Sequence, residues 1–220
     1  RILEYSTMKK TISSFFLLFI FCFSGFSQQN DFQSWSSIRF SKKIYKRTNI
    51  YIKEGVRFRE NSSILSKLYT DIKVSHRIKK TDLKLSLGYR ISDSYKVDFS
   101  NEYVNRFYVD YSKEYNYNRF IFTLRERLQY QGNKESYSPL FRHKLEAAYN
   151  IRKTPFEPYL QFEYFLNFSE EFEKLRYTLG FSYPIHKKVN TNLYYRIQKE
   201  LNKSNPEQIF ILGTSLSYKL

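Results

Sequence analysis

Between residues 102 and 131 the chain alternates with a period of two. In 119–131, Phe120, Phe122, Leu124, Leu128 and Tyr130 share one parity, and Ile121, Thr123, Arg125, Arg127 and Gln129 share the other. Successive side chains of a strand point to opposite faces, so this arm has one apolar face and one mostly polar, arginine-rich face. The preceding arm sets Phe107, Val109 and Tyr111 against Arg106, Tyr108, Asp110 and Ser112, with a polar knuckle at Asn116-Tyr117-Asn118 between the two. Each arm is about as long as a tilted strand that crosses a bilayer. A hairpin with these two faces suits lipid on one side and water on the other.

The same pattern recurs at 32–41, 49–60, 65–78, 83–91, 141–151, 159–168, 175–183, 191–200 and 208–220, which with the two arms makes eleven segments. The cleanest is 83–91, where Leu83, Leu85, Leu87, Tyr89 and Ile91 alternate with Lys84, Ser86, Gly88 and Arg90. No segment beyond the N-terminus holds a helical period. Turn-forming residues fall between segments at near-regular spacing, and all five prolines lie in turns or at strand edges, where a missing N–H does least harm. The fold expected is all-β: an antiparallel up-and-down transmembrane β-barrel of ten to twelve strands. Bacterial barrels usually have an even number. Ten or twelve is therefore preferred over eleven, with the Trp35 segment a partial strand or 92–101 hiding one more.

Residues 8–27 read as a secretory signal: Met8-Lys9-Lys10, a short apolar core from Thr11 to Phe23, then the small residues Gly25 and Ser27. The domain division expected is 1–27, upstream residues plus signal, and 28–220, the barrel. A single N-terminal anchor is the alternative, but the apolar core is short for one. Ile20 and Phe21 before Cys22 do not suit a lipoprotein. Cys22, the sole cysteine, leaves with the signal, so neither disulfide nor thiol chemistry is expected of the remainder. Loss of 1–27 lowers the net charge from +16 to +14. So basic a chain suits nucleic acid or an anionic membrane surface. Export favours the membrane, and no nucleic-acid partner is expected. With 21 Tyr and 21 Phe the chain is far too aromatic for a disordered basic tail.

Alternation alone leaves open which face points inward: a soluble barrel hides its apolar face and a membrane barrel shows it. Three features select the membrane barrel over a soluble periplasmic β-barrel binding protein. The apolar faces carry Phe, Tyr and Leu in series, too bulky to fill a small barrel from every strand. Gly55, Gly88, Gly180 and Gly213 all sit on the polar parity, leaving room for Arg and Tyr that reach across a lumen. The connections alternate between short or basic and longer, more polar or acidic. Closure also satisfies backbone groups that lipid cannot.

The Trp35 segment, the Arg57-Phe58-Arg59 strand, the Arg106-Phe107-Tyr108 arm, Leu124-Arg125-Glu126-Arg127 and the Tyr-rich final strands resemble an uncharacterised outer-membrane barrel family of Bacteroidetes-type Gram-negative bacteria, domain of unknown function 2490. The resemblance spans 28–220. It implies an outer-membrane β-barrel and supplies neither an activity nor site residues.

On the polar faces, Arg57, Arg59, Arg77, Arg90, Arg106, Arg125, Arg127, Arg142, Arg176 and Arg196 are expected to project into the lumen, joined by Asp71, Asp110, Glu146 and Glu163. Two outcomes follow. The charges pair and plug a narrow barrel, or their positive excess forms an anion-preferring constriction. Glu54 and Glu126 fall on apolar parities, so each either marks a protein contact or is turned inward by a bulge, the reading preferred here. His76, His143 and His186 have no second ligand nearby, so no metal or other cofactor is expected. His143 with Ser136 or Ser138 is the one arrangement that could serve an outer-membrane lipid-acting enzyme. A non-enzymatic structural or pore protein is preferred. Its expected partners are outer-membrane lipids and, during biogenesis, the barrel-assembly machinery.

Overall fold

The computed structural model describes residues 30–96, 100–168, 171–202 and 206–220, with the side chains of 171 and 172 left aside. The expected signal segment, 1–27, lies outside the described residues. Eleven strands run in chain order: β1 (Asn30–Tyr45), β2 (Thr48–Arg59), β3 (Ile64–Arg77), β4 (Leu83–Tyr95), β5 (Asn101–Tyr117), β6 (Phe120–Gly132), β7 (Tyr137–Tyr149), β8 (Glu157–Asn167), β9 (Glu171–His186), β10 (Val189–Glu200) and β11 (Gln208–Lys219). Each pairs with its sequence neighbours, and β1 meets β11 to close the barrel.

Eleven is the number of segments counted directly; the even-number preference for ten or twelve fails. In an up-and-down barrel every strand reverses direction, so an odd count brings the first and last together parallel. That is the closure seen, in register from Asn30 opposite Gln208 to Ser41 opposite Lys219. The Trp35 segment is a full strand of 16 residues. Within 92–101, β4 extends to Tyr95 and β5 begins at Asn101, and no additional strand occurs there among the described residues.

Both rims are short. At one, two-residue turns at 46–47, 118–119 and 187–188 join β1 to β2, β5 to β6 and β9 to β10; Asn118 takes a left-handed φ of 54° that asparagine tolerates. At the other, the stretches left between the apolar segments narrow: β4 reaches Tyr95 and β5 begins at Asn101, and β6 ends at Gly132 with β7 beginning at Tyr137. Ladder hydrogen bonding continues past the last apolar residue, and an apolar pattern cannot register that extension. The expected contrast between short and long connections is therefore mostly absent. The contrast in charge remains, with Lys46-Arg47, Lys79-Lys80, Arg152-Lys153 and Lys187-Lys188 all at the first rim.

The apolar faces point out. Leu87 is 66% exposed and Phe107 53%, whereas Tyr108 and Asp110 on the other parity are 5% and 2%. An isolated wall with that much exposed Leu, Ile, Val and Phe needs an apolar solvent, as a membrane barrel does and a soluble one does not. Aliphatic residues such as Ile72, Leu87 and Val109 hold the middle of the wall. Rings occur toward its ends, where Tyr130 stacks on Tyr137 at 5.2 Å and Phe120 packs on Tyr149 at 4.9 Å, and also mid-wall, where Tyr89 packs on Phe107 at 4.6 Å and Phe162 on Tyr177 at 5.4 Å.

Inside, small and large residues alternate around the barrel. One row runs Tyr159, Gly180, Tyr194, Gly213 and Trp35 across β8 to β11 and β1. Gly55 lies opposite Tyr69, and Gly88 opposite Tyr108. A Cβ on any of these four glycines would run into a facing tyrosine ring. The glycines leave room for rings folded flat against the wall rather than for chains spanning the lumen. This is the packing by which an aromatic residue covers a strand glycine.

Candidate functional site

The inner wall encloses a cavity of about 720 Å³ running between the sheet faces. Fourteen basic and five acidic side chains line it among the described residues. The strand register explains how so many cations come to lie together. Arg39 lies directly opposite Lys53, Arg57 opposite Lys67, Arg90 opposite Arg106, Arg125 opposite Lys144, and Arg127 opposite Arg142. All ten face inward. Like charges directly opposite one another weaken a ladder unless counter-charge is supplied.

Part of that counter-charge comes from three buried carboxylates. Asp110 accepts two hydrogen bonds from the Arg127 guanidinium, at 2.6 and 2.8 Å. Asp71 accepts from Arg90 Nε at 2.8 Å and from the Tyr108 hydroxyl at 2.7 Å. Arg127 in turn lies 3.7 Å above the Tyr108 ring, so the two acid centres form one network across β3 to β6. Glu163 serves three arginines: Arg125 at 2.6 Å, Arg142 at 3.0 Å and Arg176 at 3.5 Å. Lys144 is held by Glu146 at 2.5 Å. Charge-assisted bonds of this kind are strong, and both oxygens of Asp71, Asp110 and Glu163 accept at least one.

Of the fourteen residues singled out from the sequence, Arg57, Arg90, Arg106, Arg125, Arg127, Arg142, Arg176, Arg196, Asp71, Glu146 and Glu163 line the cavity. Asp110 lies beside them, buried with Arg127. Arg59 and Arg77 do not line it. Arg59 ends β2 beside Glu60, and Arg77 stands at the basic rim, where Glu114 bridges it and Lys84 at 3.3 and 3.8 Å. Each sits at the last residue of its strand, beyond the enclosed stretch. Sequence reasoning omitted the lysines: Lys53, Lys67, Lys73, Lys144 and Lys174 also line the lumen. Most share the polar parity of the arginines, and that parity was the signal available. The inward tyrosines expected to reach across the lumen are instead buried over the facing glycines, as Tyr69, Tyr108 and Tyr159 are, and the inward-facing Trp35 is buried with them.

The two acidic residues of the apolar faces face outward, so the expected bulge is absent. Glu54 accepts a hydrogen bond from Thr70 Oγ1 at 2.8 Å on the outer surface. Glu126 is paired with His143 across β6 and β7, and the His143 ring stacks on Tyr164 at 4.9 Å. Neither residue lies at a register shift. A neighbouring polar partner, rather than a change of face, accommodates each carboxylate. The lipid-acting arrangement is likewise not assembled. Ser138 lies five residues from His143 on the opposite parity, opposite Gln131, and Ser136 lies in the β6–β7 loop. No group of three or more metal-ligating side chains occurs among the described residues.

Among solved structures the chain is similar to the anion-selective porin from Comamonas acidovorans, with 13% identity and a TM-score of 0.42. That match covers 78% of this chain but only 54% of the porin, so the chain spans about half the porin's length. It is also similar to the beta domain of the Bordetella autotransporter BrkA, with 9% identity, a TM-score of 0.46, and 76% and 82% of the two chains covered. A third is a loop-deletion form of OmpT, an outer membrane protein of Vibrio cholerae, with 12% identity, a TM-score of 0.43, and 78% and 59% covered. No curated protein matches the chain. The model of one protein family matches residues 32–209, which is most of the barrel, and the chain belongs to that family, described as Protein of unknown function (DUF2490).

Proposed function

We propose that this chain is an outer-membrane β-barrel whose lumen is a narrow, anion-preferring pore, with no enzymatic step of its own. The observation that carries the reading is the register of the inner wall: among the described residues, five like-charge pairs lie directly opposite one another, in a lumen lined by fourteen basic and five acidic side chains. Rings of one charge sign set selectivity in pores, because an ion of opposite sign finds the lower barrier. The salt-bridge networks around Asp110, Asp71 and Glu163 narrow the passage and favour small solutes.

The outward-facing apolar wall supports the outer-membrane location, since strands can cross lipid only as a closed barrel. The test is a planar-bilayer recording of the refolded protein in a potassium chloride gradient. The expected reversal potential lies on the chloride side of zero. A potential on the potassium side, or no current, overturns the pore reading. Migration on unheated gels as a compact, heat-modifiable band checks that the barrel has closed.

A further inference from the structure

We propose that the lumen holds a binding site for a small oxyanion, a phosphate or carboxylate group, formed by Arg57 and Lys67 beside Trp35. The site refines the anion-accepting lumen argued above and rests on that reading. Its basis is an imbalance between neighbouring like-charge pairs. Arg90–Arg106 has Asp71, Arg127–Arg142 has Asp110 and Glu163, and Arg125–Lys144 has Glu163 and Glu146. Arg57 and Lys67, and likewise Arg39 and Lys53, lie opposite each other in the same way, yet none of the four forms an ion pair among the described residues; of the two pairs, only Arg57–Lys67 has a guanidinium stacked on the Trp35 ring. Two cations held side by side without a carboxylate call for an external anion.

The geometry around Arg57 is that of a donor set in place. Its guanidinium lies 3.7 Å over the Trp35 ring and 5.4 Å from the centre of the Tyr69 ring. Stacking occupies the face of the guanidinium and leaves the N–H groups in its plane free, which is how arginine presents a fork to an oxyanion. Arg57 Nε is buried and has no acceptor. The indole is itself fixed: Trp35 Nε1 donates to Gln33 Oε1 at 2.9 Å, and Gln33 Nε2 donates to Asp31 at 2.9 Å. A second guanidinium, Arg196, lies 5.5 Å from the same indole; its Nε donates to the Thr178 hydroxyl at 2.8 Å, and it has no carboxylate partner among the described residues. An oxyanion bound here meets donors whose orientation is already set.

Trp35 is the only tryptophan of the chain, so its fluorescence reports this site alone. The experiment titrates refolded protein in detergent micelles with inorganic phosphate, and separately with acetate, against chloride at matched ionic strength. A saturable change with phosphate or acetate that chloride does not produce is expected; which of the two binds more tightly tells phosphate from carboxylate preference. Arg57→Gln and Lys67→Gln should each weaken binding at least tenfold, and Lys187→Gln, on a turn at the basic rim, should leave it unchanged. Arg57→Lys keeps the charge without the fork and should still weaken binding; the heat-modifiable band verifies that each variant is folded. A linear response shared by all anions, or full-affinity binding by Arg57→Gln, overturns the site. Saturable, Arg57-dependent binding in a barrel that passes no current removes the pore and leaves the site standing. An anion-selective current with no saturable binding does the reverse.

Discussion

His143 Nδ1 hydrogen-bonds the Glu126 carboxylate across β6 and β7, on the wall that meets lipid. Both residues lie at the middle of 13-residue strands, six positions from either end, and so near the centre of the bilayer. Ionisable groups at that depth are costly and persist when paired. Lipid ester bonds lie near the edges of the hydrocarbon core, far from this pair, which is a further argument against a lipid-hydrolysing role for His143.

Replacing His143 by Leu leaves the Glu126 carboxylate unpaired in hydrocarbon. A loss of about 1–3 kcal/mol is expected, by the cost of orphaning a buried polar group and of a charge on a lipid face. The double replacement Glu126→Leu with His143→Leu should recover most of that loss, because no polar group is then left behind. Urea unfolding of the four proteins in lipid vesicles measures the coupling. A double-replacement loss equal to the sum of the Glu126→Leu and His143→Leu losses would show that the pair is not coupled.

Glu163 is the most heavily shared carboxylate of the lumen, with three arginines on two oxygens. Glu163→Gln leaves Arg125, Arg142 and Arg176 without a counter-charge. The expected cost is about 3–5 kcal/mol, as for breaking a buried ion pair from one side. Glu146→Gln, which frees Lys144, should cost less. A folded Glu163→Gln barrel should also shift the reversal potential further toward chloride, so stability and selectivity are measured on the same protein.

Gly88→Ala places a methyl group where the Tyr108 ring lies. The ring must move, and with it go the hydrogen bond to Asp71 and the stacking under Arg127. A loss of about 1–3 kcal/mol is expected from overpacking. Gly88→Ala combined with Tyr108→Ala should cost less than the two single costs summed, since the clash disappears with the ring. Chemical unfolding midpoints of the three variants decide it.

The basic rim should steer the barrel to anionic lipid. Changing Lys79, Lys80, Lys187 and Lys188 to Gln removes four positive charges from two turns at that end. Each basic residue near an anionic surface contributes about 1 kcal/mol. Folding of the urea-unfolded chain into phosphatidylglycerol vesicles should slow in this variant. Folding into phosphatidylcholine vesicles should change little. Equal slowing in both would remove the electrostatic explanation.

Much of this molecule is legible in its sequence, because the two-residue period is a property of strand backbone that needs no tertiary partner. Leu83 to Ile91 announce a strand, its faces and the parity that carries Arg90 without reference to any other segment. The seriation of Phe, Tyr and Leu on one parity and glycine on the other was enough to choose lipid for the apolar side.

Pairing and closure were not legible, because they depend on which residue stands opposite which. That Arg57 faces Lys67, that Glu163 gathers three arginines from three strands, and that Trp35 lies beside Gly213 are consequences of register and of the parallel β1–β11 seam. The outward setting of Glu126 belongs to the same class, since only the arrival of His143 on the next strand makes it tolerable. Alternation fixes the face of every side chain locally. Its neighbours, and therefore whether a charge is paired or left free for an anion, are decided only when the sheet closes.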